Sequence, residues 1–146
     1  MNIRLYNEKE LHKLINIWYE GSLIAHDFID QNYWKSQRKA MKEKYLPMAK
    51  TYVLGNSQEI VGFISMVDDY LAALFIDIGH QGKGHGKKLL HFIKNKRKKI
   101  HLKVYKKNSQ AVHFYLKNGF VIKDEFIDKQ TAEEEFLMVW RKVELH

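Results

Sequence analysis

The sequence predicts a mixed α/β (α+β) fold, a central and mostly antiparallel sheet flanked by helices, and three observations carry that prediction. An apolar run, Leu71-Ala72-Ala73-Leu74-Phe75-Ile76, leads through Gln81-Gly82-Lys83-Gly84-His85-Gly86 into Lys87-Lys88-Leu89-Leu90, the order of a strand, a glycine-rich turn and an amphipathic helix. Ahead of it, two strand-like segments meet at Gly55-Asn56-Ser57, as in a hairpin. Behind it, a helical stretch runs from Asn108 to Gly119 with a cap residue at each end and is followed by two more strand-like segments. With 146 residues, 45% of them apolar, and no linker or repeat, residues 1–146 read as a single domain with a full core.

Taken in order, residues 2–6 alternate Ile3 and Leu5 with polar neighbours, a short first strand. Leu11, Leu14, Ile15 and Trp18 are spaced as the core stripe of a first helix, which Gly21-Ser22 is expected to break. A second helix is predicted from about 30 to 46, stopped by Pro47, the only proline. Residues 51–54 and 60–67 form the hairpin, and 70–78 is a strand apolar on both faces and therefore central. Gly86, Leu89, Leu90 and Ile93 give the next helix its buried face, and 100–105 alternates again. Asn108 or Ser109 can cap the last helix, Gly119 suits its left-handed end, and 120–127 and 136–140 are two closing strands. The predicted order is β-α-α-β-β-β-α-β-α-β-β, with a βαβ crossover at its centre.

Composition narrows the function. No apolar run approaches the roughly 18 residues of a membrane span, and no signal-peptide core is present. The absence of Cys removes disulfides, a thiol nucleophile and a Cys-based metal site, and suits a cytoplasmic protein. The histidines show no metal-ligand spacing, so no metal is expected. The formal net charge of +8 is unevenly placed: no Asp or Glu occurs between Ile78 and Lys123, whereas Asp124, Glu125, Asp128, Glu133, Glu134, Glu135 and Glu144 follow. A basic middle suits an anionic ligand or nucleic acid. Nucleic acid is the weaker reading, because Tyr105, Phe114 and Tyr115 belong to a different pattern, given below.

A glycine-rich turn ahead of a helix aims several N–H groups at one point and favours an anion, commonly phosphate. Two familiar phosphate loops do not fit. In the Walker A frame, Gly79 and Gly84 have the right separation, but His85 stands where Lys is required. Gly86-Lys87 is followed by Lys88, which has no hydroxyl for magnesium, and Gln81 replaces the leading Gly. In the dinucleotide frame, Gly-x-Gly-x-x-Gly, the last position is Lys87 counted from Gly82 and Leu89 counted from Gly84.

What fits is Gln-x-x-Gly-x-Gly, which resembles motif A of the Gcn5-related N-acetyltransferase (GNAT) family. A second segment agrees. Asn108-Ser109-Gln110-Ala111-Val112-His113-Phe114-Tyr115-Leu116-Lys117-Asn118-Gly119-Phe120 is similar to the family pattern Asn-x-x-Ala-x-x-Phe-Tyr-x-x-x-Gly-Phe at every specified position. Trp18, Ala25-His26-Asp27-Phe28-Ile29, Tyr33-Trp34, Phe75-Ile76 and Val104-Tyr105 resemble the small bacterial YiaC/YjaB-type branch. The predicted element order agrees with the GNAT fold along nearly the whole chain.

The resemblance implies an acetyl-CoA-dependent N-acetyltransferase that moves the acetyl group directly to a primary amine in a ternary complex. The acceptor would be a small molecule or a protein lysine. It implies that main-chain groups of Leu74, Phe75 and Ile76 pair with the pantetheine arm. The turn Gln81, Gly82, Lys83, Gly84, His85, Gly86 and Lys87 would hold the pyrophosphate. Asn108 would bond the cofactor arm, cap its helix, or do both. Tyr115 would protonate the departing thiolate, since a phenol with a reference pKa of about 10 keeps its proton at neutral pH; otherwise it is a core aromatic. His26 and Asp27 are candidates at the acceptor site, for taking the amine's proton or orienting the substrate; Asp27 could instead cap a helix. Glu133-Glu134-Glu135 could attract a cationic amine or be a solvated turn. Many relatives carry Pro where Ile78 stands here. An exposed final strand would let a second copy pair as a homodimer, and no membrane partner is expected.

Overall fold

The structure, a computed structural model, describes residues 1–143; Glu144 of the acidic tail lies outside them. Seven strands form one sheet: β1 (Asn2–Leu5), β2 (Lys50–Gly55), β3 (Ile60–Val67), β4 (Tyr70–Ile76), β5 (Lys99–Tyr105), β6 (Val121–Ile127) and β7 (Glu134–Arg141). Their spatial order is β1-β2-β3-β4-β5-β7-β6. Helices α1 (Leu11–Ala25), α2 (Gln31–Ala40) and the single turn α3 (Leu46–Met48) cover one face, and α4 (His85–Lys94) and α5 (Ser109–Lys117) the other. The predicted order of strands and principal helices is observed, with β4 at the centre.

The sequence alternation explains the two cores. Val53, Phe63 and Ala73 point to the α1–α2 side, where Leu14, Ile17, Trp18 and Trp34 meet them. Leu54, Ile64, Ile100, Leu102 and Met138 point to the other side, against Leu89, Leu90 and Ile93 of α4 and Tyr115 of α5. Each layer therefore rests on period-2 strands packed against period-3.6 helices.

One feature of the sheet creates the site. All strand pairs are antiparallel except β4–β5, whose parallel register is limited to Tyr70↔His101. Beyond that pair the strands separate. By contrast, β5 and β7 stay paired from Lys99↔Arg141 to Tyr105↔Glu135. On its other side β4 remains paired with β3, where the register shifts between Ser65↔Ala73 and Met66↔Leu71, so Ala72 is an extra residue. Such a bulge bends its strand, here next to the place where β4 leaves β5.

Several expectations are corrected. Gly21-Ser22 does not break α1, which continues to Ala25. A Cβ on Gly21 would lie 2.8 Å from Phe75 Cδ1, so the glycine lets the helix approach β4 closely. That close packing offsets the roughly 0.5–1 kcal/mol cost of glycine inside a helix. Asp27 caps no helix; Asp30 does, accepting from the Asn32 N–H at 2.8 Å. The second helix passes through a π turn, Met41–Tyr45, and Pro47 sits inside α3 rather than ending the helix. A wide turn suits the segment just ahead of a proline, which lacks an N–H and crowds the carbonyl four residues back. β4 ends at Ile76, and Ile78 belongs to a 3₁₀ turn, Ile78–His80.

The final strand also has no free edge. β7 lies between β5 and β6, with main-chain partners on both sides. The edge belongs to β6, where Lys123, Asp124 and Glu125 and a register shift between Ile122 and Asp124 discourage pairing with another chain.

Candidate active site

The turn after β4 is shaped by its glycines. Gly82 has φ +76° and Gly84 φ +82°, conformations that side-chain-bearing residues rarely adopt. Gly84 is the N-cap of α4 and supplies no side-chain cap. The first bond of the helix runs from the Lys88 N–H to the Gly84 carbonyl at 3.1 Å. The N–H groups of His85, Gly86 and Lys87 therefore have no partner within the helix, and the helix dipole adds positive potential there. Two side chains anchor the turn. Gln81 Nε2 donates to the Ile76 carbonyl at 3.2 Å, and the His80 ring lies 3.0 Å from Asp77 Oδ2 and 3.3 Å from Glu59 Oε1.

The separation of β4 and β5 opens a cavity of about 560 Å³. It is lined by Leu74, Phe75 and Ile76 of β4, by Gln81, Gly82, Gly84, His85, Gly86 and Lys87 of the turn, by Asn108 and Tyr115, and by His26. Lys83 is exposed and does not line it. Asp27 lines a separate depression with Leu23, Phe28 and Asp30. The structure thus brings together every predicted site residue except Lys83 and Asp27.

Tyr115 is 8% exposed, between Phe114 and Phe120 at ring separations of 5.2 and 5.4 Å, yet it lines the cavity. Burial, reinforced by Tyr70, pushes its phenol well above the ordinary range. The group holds its proton throughout the neutral range.

Asn108 has two engagements. Its Oδ1 accepts from the Ala111 N–H at 3.3 Å and caps α5; its Nδ2 faces His26 Nε2 at 3.3 Å. Because Oδ1 is the acceptor, Nδ2 must donate, so His26 Nε2 accepts and Nδ1 carries the hydrogen. His26 stacks on Trp34 with centroids 5.0 Å apart and meets Tyr105 edge-on at 5.1 Å. Burial pushes its imidazole down to about 4, so it is neutral at physiological pH.

The wall facing the turn contains residues to which sequence reasoning gave no role: Ser22, Trp34, Tyr105 and, as an individual residue, Glu135. Tyr33 and Tyr105 hold the β6–β7 loop over this wall. Tyr33 Oη donates to Gln130 Oε1 at 2.9 Å and Tyr105 Oη to Asp128 Oδ2 at 2.7 Å. These residues come from four distant segments, so no local spacing signals them. The alternation of β7 could have separated Glu135 from Glu134.

A splayed central strand pair, a glycine turn with free N–H groups and a protonated phenol meet in one cavity, as a group transferase with an anionic donor would require. The comparisons make it specific. Residues 47–122 match the family described as "Acetyltransferase (GNAT) domain". The chain is 30% identical over 143 residues to the peptidyl-lysine N-acetyltransferase YiaC of Escherichia coli K12, covering 97% of this chain and 98% of that one. Its fold matches the solution structure of apo YjaB from Escherichia coli with a TM-score of 0.85 at 27% identity, over 95% and 96% of the two chains. It also matches the PaiA N-acetyltransferase of Thermoplasma acidophilum in complex with coenzyme A, with a TM-score of 0.80 at 24% identity, over 97% and 100%. The chain belongs to the GNAT family and is an N-acetyltransferase.

Proposed function

We propose that this enzyme transfers the acetyl group of acetyl-CoA directly to the side-chain amine of a peptidyl lysine, with donor and acceptor bound together. The observation that carries this reading is the single cavity in which the unpaired edge of β4, the free N–H groups of α4 and Tyr115 converge. These residues fit the donor: beyond Tyr70↔His101, β4 has no ladder partner on its β5 side, and His85, Gly86 and Lys87 offer three N–H groups to an anion. The donor supplies the acetyl thioester. Tyr115 supplies the proton that the departing thiolate needs. Asn108 stiffens the wall by tying α5 to His26. With no Cys in the chain, no cysteinyl acyl-enzyme can form, which favours direct transfer. The lysine acceptor is supported by the activity in YiaC's name and by a carboxylate in the cavity. The lack of any disulfide requirement suits a reducing, cytoplasmic setting.

The test is thiol release from acetyl-CoA across lysine peptides, polyamines, amino acids and aminoglycosides, with mass spectrometry of the products. Acetylation of lysine side chains is expected to be fastest. Transfer confined to the small amines would overturn the lysine reading, and no transfer to any amine would overturn the whole proposal.

A further inference from the structure

The three consecutive acids Glu133, Glu134 and Glu135 meet different fates. Glu133 pairs with Lys107 at 3.3 Å and Glu134 with Lys106 at 3.5 Å. Glu135 makes no ion pair among the described residues and lines the cavity. Strand geometry explains the difference. Glu134 and Phe136 share the α4–α5 face of the sheet, whereas Glu135 stands opposite Tyr105 on the α1–α2 face.

A second observation lies across the same cavity. Among the described residues, three buried polar side-chain atoms lack a hydrogen-bond partner: Ser22 Oγ, His26 Nδ1 and Trp34 Nε1. All three belong to cavity-lining residues, and Ser22 is wholly buried. Buried polar groups are almost always satisfied, so exceptions gathered on one cavity wall mark a surface suited to a polar ligand. Glu135 is the one carboxylate among the residues lining this cavity.

We propose that Glu135 binds the acceptor's ammonium group and takes its proton, acting as the general base of the transfer. The inference rests on the proposed acetyl transfer to lysine. A lysine side chain has a reference pKa near 10.4 and arrives charged, without a lone pair. One N–H proton passes to the Glu135 carboxylate. The freed nitrogen then forms the C–N bond as the C–S bond breaks. The thiolate leaves with the Tyr115 proton, and the second nitrogen proton returns to the Tyr115 phenolate. Glu135 releases its proton to water, so one proton is liberated per turnover.

The surroundings suit this role. Burial and the Asp128 carboxylate push the Glu135 carboxyl above the ordinary carboxylate value, against the opposing Lys103 ammonium. The other titratable groups around it are Tyr105 on β5, Tyr33 on α2, Tyr70 on β4 and His26 after α1. His26 is a poor alternative base, because Nε2 already accepts from Asn108 and its proton affinity is low.

The test compares Glu135→Gln, Glu135→Asp and Glu134→Gln on a lysine peptide, with acetyl-CoA affinity measured separately. For Glu135→Gln, kcat/KM is expected to fall about 100-fold, with the acidic limb of the pH–rate profile lost and acetyl-CoA affinity unchanged. Glu135→Asp should recover part of the rate, and Glu134→Gln should match the wild type. With 2,2,2-trifluoroethylamine, an acceptor already neutral at assay pH, the Glu135→Gln deficit should shrink to a few-fold. An equal deficit with both amines, or wild-type rates in Glu135→Gln, would overturn the base role. Failure of the wild-type enzyme to acetylate any lysine peptide would instead overturn the underlying function.

Discussion

On one wall of the cavity, the wall proposed for the donor, the exposed groups are main chain: the unpaired edge of β4, Gly82, Gly84 and the first N–H groups of α4. On the facing wall the surface is made of side chains, namely Ser22, His26, Trp34, Tyr105 and Glu135. A main-chain site constrains residue type at consecutive positions, because only glycine readily takes positive φ. A side-chain site constrains only where distant segments meet. The first wall can recognise a donor common to a family. The second can vary with the acceptor while the sheet stays the same.

The largest effect should come from Tyr115, which lines the cavity and keeps its proton. Tyr115→Phe is expected to lower kcat by about 100-fold or more while leaving acetyl-CoA affinity unchanged, as read by steady-state kinetics and calorimetry. Loss of affinity with intact kcat would reverse its assignment. A smaller effect should follow from Gly84→Val. A β-branched residue at φ +82° costs about 1–3 kcal/mol of strain, so acetyl-CoA affinity should drop about tenfold while the peptide's KM changes little. If the peptide's KM changed as much as donor affinity, the division between the two walls would not hold. The smallest effect should be that of Lys83→Ala, within about twofold in acetyl-CoA affinity at physiological salt, because its charge is solvated outside the cavity.

The same contrast explains what could be read from the sequence. Gln81, Gly82, Gly84, Gly86, Asn108 and Tyr115 were legible because a turn and a helix cap demand particular residues at fixed spacing. Lys83 and Asp27 do not line the cavity, since sitting beside a motif does not fix where a side chain points. Glu135 was visible only as part of an acidic run; pairing with Tyr105 singles it out, and that register is long-range information. In the fold, periodicity marked every strand and principal helix. It could not show that Gly21 is there for Phe75 rather than for a break, or that β7 would insert between β5 and β6. Both depend on partners far away in the chain.

The division of labour between the walls is tested most directly by following backbone amide resonances while acetyl-CoA is titrated into the wild-type protein. The largest shifts are expected at Leu74, Phe75 and Ile76 and at Gly82 through Lys87, with the amides of Glu133 and Glu134 unmoved. Shifts centred instead on the lysine-rich surface at 94–99, with the turn unmoved, would contradict it.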